Sequence, residues 1–187
     1  MKIERFNFVL HITPMRITPL NQEIVMQEGD LIVSKTDAKG RITYGNRAFN
    51  QYSGFTENEL IGIQHNIVRH LDMPRAVFKL LWDRIQAGQE VFAFVKNIRK
   101  DGAYYWVFAN VTPSYDVNNN LLGYFSVRRK PNDKAIQQIE PLYRQMLQIE
   151  QSAGANDGLA KATQFLMDAL DSLQISYDDY VLKLQTS

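Results

Sequence analysis

The sequence has 187 residues, of which 45% are hydrophobic and 22% charged, and its formal net charge is +1. These values are typical of a globular domain of common size with an appendage, and they give no electrostatic reason to expect a nucleic-acid partner. The absence of cysteine excludes disulfides, thiolate metal sites and a cysteine nucleophile.

The sequence shows no sign of membrane insertion or secretion. No run approaches the ~18 apolar residues that a membrane span requires, and the start of the chain is too poor in apolar residues for a signal peptide. We therefore expect a cytoplasmic protein without a membrane-spanning segment.

The N-terminal third predicts an arm followed by a β-hairpin. Pro14 and Pro19 disfavour a long helix or a central strand, so residues 1–20 are expected to form an N-terminal cap or arm. The apolar residues 31–33 (LIV) and the run 41–44 (RITY) flank a DAKG turn. This arrangement predicts two hairpin strands.

Two short helices are expected next. Asn46 is a suitable N-cap for a helix over residues 47–52, which Gly54 would end. Thr56 and Glu59 form a capping box in front of a second helix over residues 57–61.

Residues 64–74 (QHNIVRHLDMP) place two histidines, an arginine and an aspartate beside an apolar helix. Polar groups packed this densely against apolar sequence usually serve a ligand, because a core gains little from burying them without partners. The helix is expected to begin at 73–74 and to end at Gly88. Its apolar stripe consists of Phe78, Leu81, Trp82 and Ile85.

Three further strands are predicted at residues 90–98, 103–115 and 121–129. Turn sequences join them, KDG at 100–102 and DVNNN at 116–120, so the strands form consecutive antiparallel hairpins. The predicted fold class is α+β, a five-stranded antiparallel sheet with short helices on one face. This domain is expected to span residues 21–131.

Residues 132–187 predict a C-terminal helical extension. A helix over 133–140 meets Pro141, which would kink or restart it before it continues over 142–151. A loop at 154–157 is expected to precede a second helix, and Ser176 with Asp179 forms a capping box for a third helix, which ends near residue 184. The stripe of the second helix consists of Leu159, Ala162, Leu166, Leu170 and Leu173.

The sequence resembles PAS domains, and in particular the N-terminal sensor domain of bacterial aerotaxis receptors. The stretch YSGFT at 52–56 with ELIG at 59–62 is common to many PAS domains, whereas HNIVRH at 65–70 with DMP at 72–74 is more restricted. The other matching positions are GN at 45–46, Phe78, Trp82, VKN at 95–97, RK at 99–100, Gly102, YWV at 105–107, AN at 109–110, GY at 123–124 and EPLY at 140–143.

The resemblance implies a PAS fold that binds FAD and senses oxygen or redox state, as in aerotaxis and chemotaxis signalling. It implies no enzymatic activity and no metal site, and it suggests a homodimer that signals to a protein partner through flanking helices. Arg69 suits pyrophosphate or a reduced anionic flavin, and His70 suits carbonyl or phosphate oxygens. Tyr105 and Trp106 are expected to offer aromatic faces. The cofactor-binding candidates are Arg69, His70, Asp72, Trp82, Asn97, His65, Asn66 and Asn46.

Departures from the family pattern leave alternatives open. Residues 91–94 (VFAF) are bulkier than the family's strand and are expected to narrow the pocket, and Leu71 stands where a proline is common. A cofactor-free interaction module, in which Phe92 and Phe94 fill the pocket, is one alternative; a haem sensor ligated by His70 is another. A flavoenzyme would use His65 as its acid or base, and the absence of cysteine excludes a flavin–cysteine adduct. The chain also carries no transmembrane or methyl-accepting segment, so we expect a stand-alone protein.

The two histidines of the motif do not form a typical metal pair. Residues five apart on a helix point about 140° away from each other, unlike the i, i+4 histidines of zinc-binding helices. No fourth ligand is indicated by the sequence around His65, His70 and Asp72.

Overall fold

Five antiparallel strands form one sheet within residues 17–187, the part of the chain that this computed structural model describes. The strands are β1 Ile32–Asp37, β2 Ile42–Gly45, β3 Val91–Ile98, β4 Tyr104–Tyr115 and β5 Leu121–Arg129. Their lateral order is β2-β1-β5-β4-β3, so β1 pairs with β5 in the middle of the sheet and β3 lies at an edge. The predicted five-stranded antiparallel sheet is confirmed.

The helices between β2 and β3 begin at the predicted caps. They are α1 Arg47–Ser53, α2 Glu57–Leu60, a 3₁₀ turn His65–Val68 and α3 Arg75–Gln86. Asn46 caps α1 by accepting from the Phe49 amide, and the capping box of Thr56 and Glu59 is present. α3 begins one residue after Pro74, which occupies the N-cap position.

The two faces of the sheet carry different side chains because successive residues of a strand point to opposite sides. On β3, Val95 and Asn97 point to the face that α3 covers, which we name the inner face. Phe92 and Phe94 point to the opposite, outer face and both pack on Phe108 of β4, at ring-centroid distances of 5.7 and 4.9 Å. The expectation that these two phenylalanines narrow or fill the pocket is therefore wrong.

The C-terminal extension consists of α4 Asp133–Ser152, α5 Gly154–Ser172 and α6 Tyr177–Thr186. Tyr143 of α4 donates a hydrogen bond to the Phe94 carbonyl at 3.0 Å, and its ring lies beside Trp106 on the outer face. α6 packs beside β3, and α5 packs beside α3. The extension therefore covers the free edge of β3, which would otherwise expose unpaired backbone groups.

Two predictions about this extension are corrected. α4 does not restart at Pro141 but runs as one helix from Asp133 to Ser152, and Pro141 lies on its exposed side, where water can reach the carbonyl that lacks a helical donor. The loop predicted at 154–157 is already helical, since α5 begins at Gly154. α4 and α5 approach closely at Gly158, where an added Cβ would lie 2.3 Å from the Glu150 carbonyl oxygen.

Most of the predicted N-terminal arm, residues 1–16, lies outside the described residues. Its last residues run alongside the start of β4: the Leu20 amide donates to the Gly102 carbonyl at 2.8 Å, and Glu23 forms an isolated bridge with Tyr104.

Candidate functional site

A cavity of about 200 Å³ lies between the inner face of the sheet, the 3₁₀ turn and α3. Its wall is largely apolar. The apolar side chains of the wall include Val68, Phe78, Leu81, Trp82, Ile85, Val95, Ala109 and Val111. The polar side chains of the wall include Ser34, Gln64, His65, Asn66, Arg69, Asn97, Ser126 and Arg128. An apolar pocket with a few convergent polar groups is typical of a small-molecule site.

At residues 69 and 70 the restricted motif turns neighbouring side chains to opposite sides of its backbone. Residue 69 pairs with Asn97 as an isolated antiparallel bridge, and the His70 amide donates to the Lys96 carbonyl at 3.3 Å. The segment thus runs along β3 like a short extra strand, so Arg69 faces the cavity with Asn97, while His70 faces the outer side with Lys96. The backbone geometry separates two neighbours that the sequence groups together.

Arg69 is held in the cavity wall by local contacts. Its Nη2 donates to the Met73 carbonyl at 2.9 Å, and its guanidinium carbon lies 4.3 Å from the centroid of the Phe78 ring. Burial lowers the pKa of Arg69 from its usual value, but an arginine remains protonated in the neutral range. Arg69 therefore supplies a positive charge to the wall.

His70 and Asp72 do not line the cavity. His70 is 3% exposed, its Nδ1 accepts from the Asp72 amide at 3.1 Å, and its ring packs edge-on against Tyr104. Burial lowers the pKa of His70, so the ring is neutral near pH 7. The Asp72 carboxylate pairs with Lys96 Nζ at 2.7 Å. A haem in this cavity could not be ligated by His70, because that side chain lies on the other side of the backbone.

His65 and Asn66 lie in the wall through the 3₁₀ turn. His65 Nε2 is 3.0 Å from Ser34 Oγ, and its ring stacks on Phe49 with 8° between the planes. Burial and then the charge of Arg128 lower the pKa of His65 to about 3, which keeps the ring neutral at physiological pH. Asn66 is exposed and marks, with Gln64, where the cavity meets solvent.

Trp82 and Asn97 complete the set of predicted residues that reach the cavity. Trp82 packs edge-on against Tyr124 at 5.4 Å between centroids. It also lies against Gly40, where a Cβ would be 3.1 Å from the indole and where φ is +78°. The side-chain amide of Asn97, a residue only 4% exposed, lies in the wall opposite.

Three other residues that the sequence proposed as aromatic or polar contacts are used elsewhere. Tyr105 is fully buried beside Tyr52, and Trp106 lies on the outer face beside Tyr143. Asn46 caps α1 and also bonds the backbone of β1, through the Val33 amide at 3.0 Å. These side chains stabilise the fold and do not line the cavity.

Sequence reasoning missed Arg128, which lies on β5 and is 3% exposed. It shares the inner face with Tyr124 and Ser126 because all three lie two residues apart. Ser34 of β1 accepts a hydrogen bond from Arg128 Nη2. The signal that could have found it is the strict alternation of β5, but Phe125 and Val127 on the other side are more hydrophobic, so the pattern would place that side against the core.

Residues 17–187 contain neither a membrane-spanning helix nor a cluster of metal ligands. None of the helices in this range combines the length and the apolar character that crossing a bilayer requires. The same range contains no grouping of three or more histidine, aspartate or glutamate side chains suited to hold a metal ion.

A comparison with protein-family models identifies the family to which this fold belongs. The family model described as the PAS fold matches residues 23–130, more than half of the chain. The chain belongs to the PAS family. The predicted family and fold are thereby confirmed for this PAS protein.

Curated relatives of this PAS protein are receptors and regulators. It is 40% identical over 123 residues to the aerotaxis receptor of Escherichia coli K12, an alignment that covers 66% of this chain and 24% of the receptor. It is 25% identical over 105 residues to the nitrogen fixation regulatory protein of Klebsiella pneumoniae, covering 56% and 21% of the two chains. The chain thus spans about a quarter of the length of these relatives.

Solved structures share the fold. A light-oxygen-voltage domain described with a flavin analogue superposes with a TM-score of 0.52 at 17% identity, covering 58% of this chain and 82% of that one. An RNA-binding light-oxygen-voltage receptor gives a TM-score of 0.50 at 19% identity, covering 66% and 33%.

Proposed function

We propose that this PAS protein binds FAD in the cavity and acts as a redox or oxygen sensor that signals through its C-terminal helices. The observation that carries the proposal is the cavity wall. Its polar side chains include three from the restricted motif, His65, Asn66 and Arg69, together with Asn97 on the facing strand. The 40% identity to an aerotaxis receptor supports the same function.

The size and polarity of the cavity fit the ring portion of a flavin. Its volume of about 200 Å³ is below the roughly 300–1,000 Å³ of pockets that enclose a whole drug-sized ligand. A dinucleotide would therefore place its ring inside and its phosphates at the opening, beside the exposed Gln64 and Asn66. FAD would supply a ring whose charge and hydrogen bonding change on reduction, and Asn97 and Arg69 are the groups placed to respond.

A chain of contacts leads from the cavity wall to α4. Arg69 faces the cavity, and the backbone carries the same segment to Asp72 on the outer side. Lys96 Nζ lies 2.7 Å from Asp72 Oδ2 and 3.6 Å from Glu140 Oε1 of α4. If a change in ligand charge shifted residues 69–72, it would alter the ion pairs of Lys96 with Asp72 and with Glu140. α4 could then occupy two arrangements whose populations depend on the charge of the ligand. The amides of α4 should then exchange with deuterium at different rates in the oxidised and reduced protein.

The site favours sensing over catalysis. A general acid or base works best with a pKa near the operating pH, whereas the pKa of His65 is lowered to about 3. The curated relatives are a receptor and a regulatory protein. We therefore propose a non-enzymatic cytoplasmic protein that forms a homodimer and passes its signal to a protein partner.

A visible spectrum of the purified protein tests cofactor binding. We expect flavin absorption bands, and chromatography of the released cofactor should identify FAD and not FMN. Asn97→Ala should weaken FAD binding about tenfold, the loss expected for one hydrogen bond of about 1.4 kcal/mol. Asn110→Ala is the matched control, because Asn110 lies outside the cavity wall. It pairs with Phe92 of β3, whose side chain is on the outer face, and its side-chain amide donates to the Glu90 carboxylate at 3.1 Å. A colourless protein that takes up no FAD on refolding would refute the proposal.

The small volume of the cavity favours one second candidate, a cofactor-free PAS module that uses its helices to bind a partner. In that case the purified protein would show no flavin absorption, and Asn97→Ala would change neither its visible spectrum nor its uptake of FAD. Variants of the helical extension alone would then alter partner binding.

A further inference from the structure

Arg128 differs from Arg69, the other charged side chain of the cavity wall, because it is almost fully enclosed. It lies on the inner face of β5 and is 3% exposed, and the wall around it includes Ser34, Ser126, the neutral ring of His65 and apolar side chains. Its guanidinium carbon lies 4.8 Å from the centroid of the buried Phe49 ring. A cation in such surroundings is costly unless a negative charge compensates it.

The described residues provide little compensation. Nη2 donates to Ser34 Oγ, but Nε and Nη1 are buried without any hydrogen-bond partner within residues 17–187. Carboxylates of this range form eight ion pairs within 4.0 Å, and none of them involves Arg128. Two nitrogens of a guanidinium in the cavity wall, with three N–H groups between them, thus have no hydrogen-bond partner among the described residues.

Neighbouring titratable groups do not supply the missing negative charge. Burial raises the pKa of Tyr105 to about 12, so its phenol is neutral. His65 is neutral as well, and burial lowers the pKa of Arg128 only to about 10, so the guanidinium keeps its proton at physiological pH. The charge of Arg128 is therefore available to whatever occupies the cavity.

We propose that Arg128 is the group that holds negative charge on the ligand of this cavity, and that the cavity binds the reduced, anionic form of its flavin more tightly than the oxidised form. This inference rests on the proposed function. Addition of two electrons and one proton to the oxidised ring leaves a net charge of −1 on it, and the electrons come from an external donor. A fixed cation beside the ring stabilises that added charge and raises the reduction potential.

The test compares Arg128→Gln with Arg129→Gln, which removes the same charge from the exposed next residue. Dithionite titration of the flavin-loaded proteins against a reference dye gives their midpoint potentials. We expect Arg128→Gln to lose at least tenfold in the preference for the reduced form, a shift of about 30 mV to more negative potential for a two-electron couple. Arg128→Lys should retain most of the preference, and Arg129→Gln all of it. An unchanged potential in flavin-bound Arg128→Gln would overturn the inference.

A second measurement does not depend on flavin. In flavin-free protein, Arg128→Met removes an uncompensated buried charge and keeps an apolar side chain of similar length, so its thermal stability should equal or exceed that of the wild type. A clear loss of stability would mean that Arg128 serves the fold, and would overturn the inference. Should the wild type take up no flavin, the proposed function fails, and this measurement alone decides whether Arg128 carries an uncompensated charge.

Discussion

Glu150 of α4 acts as the missing N-cap of α3, 75 residues earlier in the chain. Pro74 occupies the N-cap position of α3 and provides no side-chain acceptor. The Glu150 carboxylate accepts from the Arg75 amide at 3.0 Å and from the Ala76 amide at 2.8 Å, and Glu150 is 8% exposed. A carboxylate at this helix end also interacts favourably with the helix dipole.

Replacement of Glu150 by alanine should lower the free energy of unfolding by about 2–3 kcal/mol. Loss of an N-cap costs about 1 kcal/mol, and leaving a second buried amide without an acceptor adds roughly 1–2 kcal/mol. Glu150→Gln keeps one acceptor oxygen, so a loss of about 1 kcal/mol is expected. Gln148→Ala, on the exposed side of the same helix, should change stability by less than about 0.5 kcal/mol.

Urea unfolding followed by circular dichroism gives these free energies, and hydrogen exchange locates the effect. In Glu150→Ala the Ala76 amide should exchange faster, because its acceptor is gone, while amides in the middle of β4 should change only with the global stability. Equal unfolding free energies for Glu150→Ala and Gln148→Ala, with an unchanged rate at Ala76, would refute the assignment of Glu150 as the cap.

Three other predictions follow from buried or crowded positions. His65 has a pKa of about 3 in the folded protein, against about 6.5 in the unfolded chain. Between these two pH values only the unfolded state binds the proton, so the free energy of unfolding should fall as pH drops below 6.5, by about 2 kcal/mol at pH 5. Thermal unfolding of His65→Gln should show a shallower dependence on pH, and parallel profiles would contradict this. Gly158→Ala should lower the free energy of unfolding by at least about 1 kcal/mol despite alanine's better helix propensity, since its Cβ would lie 2.3 Å from the Glu150 carbonyl oxygen. A higher urea midpoint would show that α4 and α5 can separate freely. Asp72→Asn should lower the free energy of unfolding by about 1 kcal/mol, because it leaves the buried Lys96 poorly paired. Asp83→Asn, in an exposed pair with Lys79, should lower it by less than about 0.5 kcal/mol. Equal losses in urea unfolding would argue against a stabilising role of the Asp72–Lys96 pair.

The local elements were predictable because their signals are local. Asn46 and the Thr56–Glu59 capping box start α1 and α2 where the sequence indicates, and the turn sequences separate the strands of the sheet. The helical extension was less predictable, since a proline such as Pro141 and a stretch with glycine, asparagine and aspartate such as residues 154–157 (GAND) normally interrupt helices. Their effect here depends on which side of α4 faces water and on how closely α5 packs against it.

The candidate site was predicted in part. One cavity is lined by five of the predicted residues, which come from the restricted motif, from α3 and from the facing strand β3: His65, Asn66, Arg69, Trp82 and Asn97. Asn46, His70 and Asp72 do not line it, and their contribution to ligand binding is not part of our proposal. The sequence places His70 beside Arg69 but carries no information on which side of the backbone each will face.

The sequence by itself determined the PAS family, the order of the elements and the segment that contributes more polar side chains to the cavity wall than any other element. Only the tertiary structure decided which polar side chains share the cavity. Pairing of residue 69 with β3 turns Arg69 inward and His70 outward, because neighbours in an extended chain point to opposite sides. Arg128 is buried for a related reason: the register of β5 between β1 and β4 fixes its inner face, although hydrophobicity alone would have placed Phe125 and Val127 there.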